Sequence, residues 1–588
     1  MTTESILETN VDISEQIPQE SFLGQLFPLP HAGRDADRPP QSVAVVEEEA
    51  DHSDALMPPP APELFGRDED VEVLLEHLDQ GLVISSCTGG AGMGTTALAR
   101  RVAAEAAEDY PDGVIEIDLR GGEPAYLAPM SHIDAQRYLL LSLDPQTELP
   151  ADPRELRRRY HATLSERRLL LILDNVTSAT QIRYLLPREG STVIVTSEHD
   201  LSKSLSKLFS WTVRELPSED AYRLIVSITP QAADPSRRAL DSLIAQLHSV
   251  PLALRLVAPL VGPSPRISPR TLMRNLNQVQ KQIVALRGTF TPNTGVGAAI
   301  EVAYKFLPPG LKPYYAALAV FSAPFTVAAA AAVWQTSTAT ARELLDLLVR
   351  RSLVDHQPGA STYQTHHLVM LHAQELLLGQ PERTRTLVFN HARHYLTEAL
   401  HINERLRAPS DPTEQPSTSA AFRMLWQHLP TAWARATGED PGWPAPAEAD
   451  RWISGFPPRV MTLLKKVLPR NELFAWLAGA LEAAERLDDR RTISVLLGAL
   501  GDVSHAQGET QQALGYYEQQ LEIARERDDH HVEGEALMHI GVIYGATGDI
   551  RRAGTSWRKA LVLLEGADDH RAEHVRNWLA ELQNHAAA

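Results

Sequence analysis

The chain has 588 residues, of which 43% are hydrophobic and 22% are charged, values close to those of soluble globular proteins. This composition excludes a wholly disordered or fibrous protein, and the length predicts roughly three to five domains. The 75 acidic and 55 basic residues give a formal net charge of −20, so nucleic-acid binding would require a local basic patch. The single cysteine, Cys87, excludes a disulfide framework and a multi-cysteine zinc site.

Residues 1–60 differ from the rest of the chain in charge. They contain twelve acidic and two basic residues, a net charge of −10, with many prolines and few apolar side chains. This composition predicts a mostly disordered segment. Its apolar cluster, residues 22–27, is either a docking motif for a protein partner or part of a solvated tail.

No targeting or membrane segment is predicted. The first residues lack the basic and apolar regions of a secretory signal. The apolar stretch at residues 316–334 is interrupted by Ser322, Pro324 and Thr326, which favours a buried helix pair over a membrane span. We therefore expect a cytoplasmic protein with no membrane partner.

Residues from about 64 to 255 alternate short apolar runs with helical patterns. Such runs, separated by helices, predict a parallel sheet covered on both faces. The predicted strands lie at residues 81–86, 113–119, 169–173 and 191–196. Residues 256–380 then read as helices with one polar hairpin near residues 357–360, and the proline density of residues 407–458 argues against long helices there.

The last part of the chain repeats with a period of 40 residues. Small residues at fixed places allow paired helices to approach closely, which predicts an α-solenoid, with an ordinary helical bundle as the alternative. The matched pairs are Gly501 and Gly541, Gly508 and Gly548, Ala513 and Ala553, Leu521 and Leu561, and Tyr517 and Trp557.

A glycine-rich segment between the first strand and the next helix resembles a phosphate-binding loop. The template G-x-x-x-x-G-K-[ST] is matched at Gly89, Gly94 and Thr96, whereas Thr95 occupies the lysine position. In such loops the glycines allow close backbone approach, and the N–H groups at the helix N-terminus face the phosphates.

Asp174 follows the apolar run at residues 169–173. A carboxylate at the end of that strand could hold Mg²⁺ together with the hydroxyl of Thr96. The alternative is a turn residue after a buried strand.

Seven motifs in chain order resemble those of the NB-ARC family of signal-transduction NTPases, especially the nucleotide-binding module of actinobacterial antibiotic regulatory proteins. The resemblance covers roughly residues 58–380, and the 40-residue units resemble tetratricopeptide repeats. The seven motifs lie at residues 65–67, 89–96, 110–121, 169–175, 193–197, 250–254 and 363–367.

The resemblance implies a site for ADP or ATP with Mg²⁺. In the family, the entry motif and the proline of the helical domain lie beside adenine, and the histidine of the winged-helix motif reaches the β-phosphate. Thr96 and Asp174 would hold the metal. The implied nucleotide-binding residues are Phe65, Gly66, Arg67, Gly89, Gly92, Met93, Gly94, Thr95, Thr96, Pro251 and His366.

Three residues depart from the family pattern. Thr95 replaces the lysine that neutralises the phosphates, which costs roughly 1.5–3 kcal/mol of binding. Glu198 occupies the usual place of an arginine, and His367 that of an aspartate. Because phosphoryl transfer needs positive charge around the transferred group, we expect hydrolysis to be weak or absent and assign no catalytic residue.

The resemblance implies a multidomain α/β and α fold. We expect an acidic segment at residues 1–60, a P-loop NTPase-like domain at 61–215 and a helical domain at 216–290. A winged-helix-like domain would follow at 291–380, a Pro-rich helical connector at 381–465, and tetratricopeptide-like repeats at 466–588.

The predicted function is that of a signalling regulator with a degenerate nucleotide site and a repeat domain for protein–protein interaction. Expected partners are a protein or peptide ligand on the repeats, a protein partner of the acidic N-terminal segment, and a second copy through self-association; nucleic acid is not expected. Two alternatives stay open: an active ATP-dependent switch acting as a transcriptional regulator, and a nucleotide-free structural scaffold.

Overall fold

The structure of the protein is a computed structural model. It describes residues 63–86, 91–119, 129–144, 147, 149–150, 152–230, 237–261, 267–287, 292–356, 361–407, 415–440, 443, 448–567 and 569–587. The predictions made for the acidic segment at residues 1–60, Gly89 and the hairpin tip at 357–360 therefore lie outside the described residues. The chain divides into two compact units, one of residues 50–446 and one that contains residues 447–588.

The first unit begins with an α/β layer. All four predicted strands are present, and a fifth strand, β5, lies at the sheet edge. Its residues alternate in exposure, so it lacks an apolar run of the kind that marks the other four. The elements are α1 (Asp68–Glu76), β1 (Leu82–Ser86), α2 (Thr95–Glu105), β2 (Val114–Asp118), α3 (His132–Leu143), α4 (Pro153–Ser165), β3 (Leu170–Asp174), α5 (Ala179–Ile182), β4 (Thr192–Ser197) and β5 (Phe209–Val213).

The strands form one parallel sheet in the order β2-β3-β4-β1-β5. The interior strands β1 and β3 are buried along their whole length, as expected for a sheet with helices on both faces. Since all strands run the same way, the residues that follow β1, β2, β3 and β4 meet at one edge of the sheet. Ligands of open α/β sheets bind at this edge.

Helices make up most of the remainder of this unit. A three-stranded antiparallel sheet, in the order β6-β8-β7, lies among them. The elements are α6 (Ser218–Ile228), α7 (Arg237–Gln246), α8 (Pro251–Val257), α9 (Pro269–Arg287), α10 (Pro292–Lys305), α11 (Lys312–Ala317), β6 (Phe325–Thr326), α12 (Val327–Trp334), α13 (Thr338–Val349), β7 (Asp355–His356), β8 (Thr362–Gln364), α14 (His367–Leu377), α15 (Pro381–Arg407) and α16 (Gln415–Thr437).

Helix α16 corrects one prediction. The proline density of residues 407–458 argued against long helices, yet α16 has 23 residues and contains Pro430 in its interior. The neighbouring side chains Leu429, Ala432 and Trp433 are buried. Tertiary packing of this face therefore compensates for the backbone hydrogen bond that Pro430 removes.

The second unit is entirely helical over its described residues. In each repeat the glycine faces an aromatic ring of the following helix: a Cβ at Gly501 would overlap Tyr517, and one at Gly541 would overlap Trp557. The helices are α17 (Ala449–Arg459), α18 (Met461–Val467), α19 (Arg470–Arg486), α20 (Arg490–Ala506), α21 (Thr510–Glu526), α22 (His530–Ala546), α23 (Ile550–Gly566) and α24 (Arg571–Ala587).

From α19 onward each helix packs against the next one along the chain. The helices of the two 40-residue repeats begin at equivalent positions: α20 corresponds to α22, and α21 corresponds to α23. The predicted fold class, an α/β multidomain protein with an α-solenoid, is thereby confirmed. Among the described residues, no helix is both long and apolar enough to cross a bilayer.

Candidate functional site

A cavity of about 510 Å³ lies in the first unit, at the edge of the sheet where the strands end. Its volume falls in the range of small-molecule sites, ~300–1,000 Å³. Of the predicted nucleotide-binding and metal residues, those that line it are Phe65, Arg67, Gly92, Met93, Gly94, Thr95, Thr96, Asp174, Pro251 and His366. Gly66 lies next to this lining, and Gly89 is outside the described residues.

The glycine loop leads into the first turn of α2. Gly94 precedes the helix with a φ of 90°, which a residue without a Cβ adopts freely, and no side chain of the described residues caps the helix N-terminus. Gly92 has a φ of 87°, and its carbonyl accepts a hydrogen bond of 3.2 Å from the N–H of Leu252. The loop is thereby attached to the start of α8, where Pro251 lies.

Thr96 and Asp174 are in direct contact. The Thr96 hydroxyl donates to Oδ1 of Asp174 at 2.9 Å, and the hydroxyl of Thr196 on β4 donates to the same oxygen. Asp174 is only 5% exposed. The residue pair that the motifs assign to Mg²⁺ is therefore brought together by β3, β4 and the first turn of α2.

Acidic residues surround Asp174. Burial, followed by the negative charges of Glu116 and Asp118, raises the pKa of Asp174 to about 7. Asn175, which follows it, adopts a left-handed backbone with a φ of 55° and donates from Nδ2 to Oδ1 of Asp118 at 3.0 Å. The Asp174 carboxylate and the Thr96 hydroxyl are oxygen ligands of the kind that Mg²⁺ prefers, and among the described residues no group of three or more His, Cys, Asp or Glu is placed to hold a metal ion.

Arg100, one turn beyond the loop on α2, is a residue that the motif analysis missed. Its guanidinium forms an ion pair of 2.7 Å with Glu116 and also donates to Oε1 of Gln364 at 3.3 Å. The signal in the sequence was the isolated glutamate within the apolar run of β2, since a charge in a buried strand needs a partner.

The entry motif is held by contacts within the protein. Arg67 is 7% exposed, forms an ion pair with Asp70 at 3.0 Å and donates to the carbonyl of Arg214 at 2.6 Å. Gly66 has a φ of 61°, and a Cβ there would overlap Asp220. Gly66 and Arg67 thus fix the chain beside the cavity, while Phe65 and Pro251 line it.

The histidine pair lies at the N-terminus of α14. The Nδ1 atom of His366 accepts a hydrogen bond of 3.3 Å from the N–H of Leu368, so the proton of the neutral ring is on Nε2. Burial, and then the neighbouring His367 and Arg255, hold the pKa of His366 well below 6.5. The ring is therefore a neutral donor.

Two of the three departures from the family pattern meet in space. Nε2 of His367 lies 3.6 Å from Oε1 of Glu198, and both side chains line the cavity. Burial lowers the pKa of His367, although the charge of Glu198 opposes this effect. This pairing could not be predicted from the sequence, because 169 positions separate the two residues.

The fold defines a class of protein, in which a parallel α/β sheet with a cavity at its strand ends is followed by helices and an α-solenoid. Comparison with known proteins narrows this class. Residues 491–565 match the family model of the tetratricopeptide repeat. The chain is 28% identical over 387 residues to the regulatory protein AfsR of Streptomyces griseus, an alignment that covers 63% of this chain and 39% of the relative.

A second relative, the regulatory protein AfsR of Streptomyces coelicolor, is 28% identical over 298 residues, or 50% of this chain and 29% of the relative. The chain thus spans well under half the length of both curated relatives. A crystal structure of a signal transduction ATPase with numerous domains (STAND) from Pyrococcus horikoshii, with a tetratricopeptide repeat sensor, superposes with a TM-score of 0.43. It is 16% identical, and the superposition covers 90% of this chain and 81% of that chain. The predicted similarity to actinobacterial regulatory proteins and the predicted C-terminal tetratricopeptide repeats are confirmed.

Proposed function

We propose that this chain is a regulatory signalling protein that holds ADP or ATP in a degenerate site, hydrolyses it weakly or not at all, and binds a protein or peptide on its repeats. One observation carries the proposal: Thr96 contacts Asp174 beneath the helix N-terminus, while Thr95 stands in the place of the phosphate-neutralising lysine. The similarity to two proteins named as regulators supports the regulatory role.

Without the lysine, the other residues of the site suffice to hold a nucleoside diphosphate. The first turn of α2, with Thr95 and Thr96, lines the cavity, and the N–H groups at a helix N-terminus favour an anion. His366 would donate from Nε2 to a phosphate oxygen. Mg²⁺, when bound with the nucleotide, would be held by Thr96 and Asp174 and would neutralise phosphate charge. Burial and the neighbouring carboxylates raise the pKa of Asp174 because both disfavour its negative charge, and a bound cation would offset this effect.

Weak hydrolysis follows from the charges near the third phosphate. Phosphoryl transfer needs cations around the transferred group. Here Thr95 is neutral, the lowered pKa of His367 leaves that ring neutral near pH 7, and Glu198 adds a carboxylate. Arg100 is already paired with Glu116. This arrangement supports binding over turnover.

Two contacts connect the cavity with the small antiparallel sheet, which the family resemblance assigns to a winged-helix domain. Arg100 of α2 donates to Gln364 of β8, and Arg255 of α8 forms an ion pair of 2.8 Å with Asp355 of β7. Both arginines also line the cavity. A ligand in the cavity would therefore bias the position of this sheet, which is the kind of differential contact that a regulatory switch requires.

The nucleotide content of the purified full chain tests the proposal. Acid release and ion-exchange chromatography should give about one ADP or ATP per chain, and Thr96→Ala and Asp174→Asn should lower this content. The matched control is Asp79→Asn, an exposed aspartate outside the cavity. Turnover of ATP that Asp174→Asn abolishes would favour the active switch. No nucleotide in the preparation and no binding at millimolar ADP or ATP would favour the structural scaffold.

The transcriptional alternative has its own measurement. A DNA-binding regulator should be retained on duplex DNA in a salt-dependent manner. The formal charge of −20 predicts no retention at physiological salt.

A further inference from the structure

The arginines that line the cavity differ in their partners. Four arginines line it within the described residues, and three of them form ion pairs with carboxylates. These pairs are Arg67 with Asp70, Arg100 with Glu116, and Arg255 with Asp355. The fourth, Arg423, has no ion pair with any described carboxylate, and its hydrogen bond to the carbonyl of Ser142 is long, at 3.4 Å.

Arg423 is held in position by the packing of its helix. On either side of it in α16, Phe422 and Trp426 are 2% and 6% exposed. The Trp426 ring lies 6.0 Å from that of Tyr138 on α3. Arg423 and Gln427, one helical turn apart, both line the cavity. The guanidinium is therefore presented to the cavity by a fixed helix.

A half-buried guanidinium without a carboxylate is costly, because arginine stays protonated in proteins. Burial lowers the pKa of Arg423, which means that its surroundings disfavour the charge that it must carry. An anion in the cavity would remove this cost. The phosphates of a nucleotide are such an anion, and the loop offers them Thr95 in place of a lysine.

We propose that Arg423 binds the phosphate groups of the nucleotide held in this cavity and supplies positive charge that Thr95 does not. This inference rests on the proposed function, since it concerns the same cavity. A guanidinium suits the role because its planar set of donors matches phosphate oxygens. The contact would couple occupancy of the cavity to the position of α16, which is the last helix of this unit in chain order.

The test is a titration of the full chain with ADP and with adenosine by calorimetry. Arg423→Gln should weaken ADP binding about 10- to 100-fold, the usual effect of losing a charged hydrogen-bond partner, and leave adenosine binding unchanged. Arg423→Lys should restore part of the loss. Arg405→Gln, which removes an exposed arginine of α15, is the matched control and should have no effect. Thermal unfolding confirms that each variant is folded.

A second cation at the loop tests whether both groups serve the same phosphates. In a Thr95→Lys background, the loss of ADP affinity caused by Arg423→Gln should be several-fold smaller than in the natural chain. Equal weakening of ADP and adenosine would overturn the inference, because it would indicate a structural effect. Unchanged ADP binding in Arg423→Gln would overturn it as well, with the proposed function intact. Absence of nucleotide binding in both the natural chain and Thr95→Lys would overturn the proposed function itself.

Discussion

The carboxylate of Glu198 and the imidazole of His367 face each other in the cavity wall, with Oε1 and Nε2 3.6 Å apart. Glu198 stands where the family pattern has an arginine, and His367 stands where it has an aspartate. The two departures therefore form one local contact. Because His367 follows the N-cap of α14 and Glu198 follows β4, this contact also connects the sheet with that helix.

Removing the charge of Glu198 should change the preference between nucleotides. We expect Glu198→Gln to tighten ATP binding about tenfold relative to ADP, because a carboxylate near the third phosphate opposes its charge. Calorimetric titration of the full chain with both nucleotides measures the ratio. Glu189→Gln, at an exposed position outside the cavity, should leave the ratio unchanged. An ATP to ADP ratio that is the same in Glu198→Gln and in the natural chain would contradict the prediction.

Nucleotide binding in the presence of Mg²⁺ should depend on pH. Since the pKa of Asp174 is raised to about 7, the fraction of carboxylate that can hold Mg²⁺ increases from pH 6 to pH 8. We expect the affinity for ADP with Mg²⁺ to rise about tenfold over this range, beyond any change seen with chelator. Titrations at pH 6, 7 and 8 check this. Asp174→Asn should remove the dependence, and a pH dependence that persists in this variant would assign it to another group.

Acidification should destabilise the first unit through His391. This side chain of α15 is fully buried, and its ring nitrogens have no hydrogen-bond partner within the part of the chain that the structure describes. Burial, then Arg435 and His428, hold its pKa well below 6.5. The unfolded chain therefore binds a proton below about pH 6.5 that the folded chain does not, and the free energy of unfolding falls by about 1.4 kcal/mol per pH unit.

The thermal unfolding midpoint at pH 5, 6 and 7 measures this effect. His391→Phe should flatten the decline between pH 7 and pH 5. His401→Phe changes a histidine of the same helix that is 59% exposed, and should retain the decline. Equal declines in the two variants would show that other groups cause the acid sensitivity.

The glycine of the second repeat should be required for packing. We expect Gly541→Ala to lower the stability of the repeat unit by about 1–3 kcal/mol, since the added Cβ would overlap the Trp557 ring. Gly515→Ala is the matched control: Gly515 lies inside α21 with open space around it, so alanine should stabilise the helix by about 0.5–1 kcal/mol. Thermal unfolding of both variants measures these changes in stability. Similar shifts of the unfolding midpoint in the two variants would contradict the packing argument.

Much of the fold could be predicted because its signals are local. Apolar runs predicted β1 to β4, and the period of 40 residues predicted the solenoid. Strand β5 was not predicted because an edge strand needs no apolar run. Helix α16 was not predicted because Pro430 is tolerated only through packing against its neighbours.

The sequence by itself determined which chemical groups are available: a glycine loop, Thr96, a carboxylate at the end of β3, and a threonine where a lysine is expected. The motifs identify these groups because each motif is a short, continuous segment of the chain that forms one turn or one strand.

Only the tertiary structure decided how distant groups combine. It placed Glu198 beside His367 and Arg100 between Glu116 and Gln364, and it brought Arg423 to the cavity from a helix outside every motif. The physical reason is that charges are matched in space, across elements far apart in the chain, whereas sequence patterns record only neighbours along it.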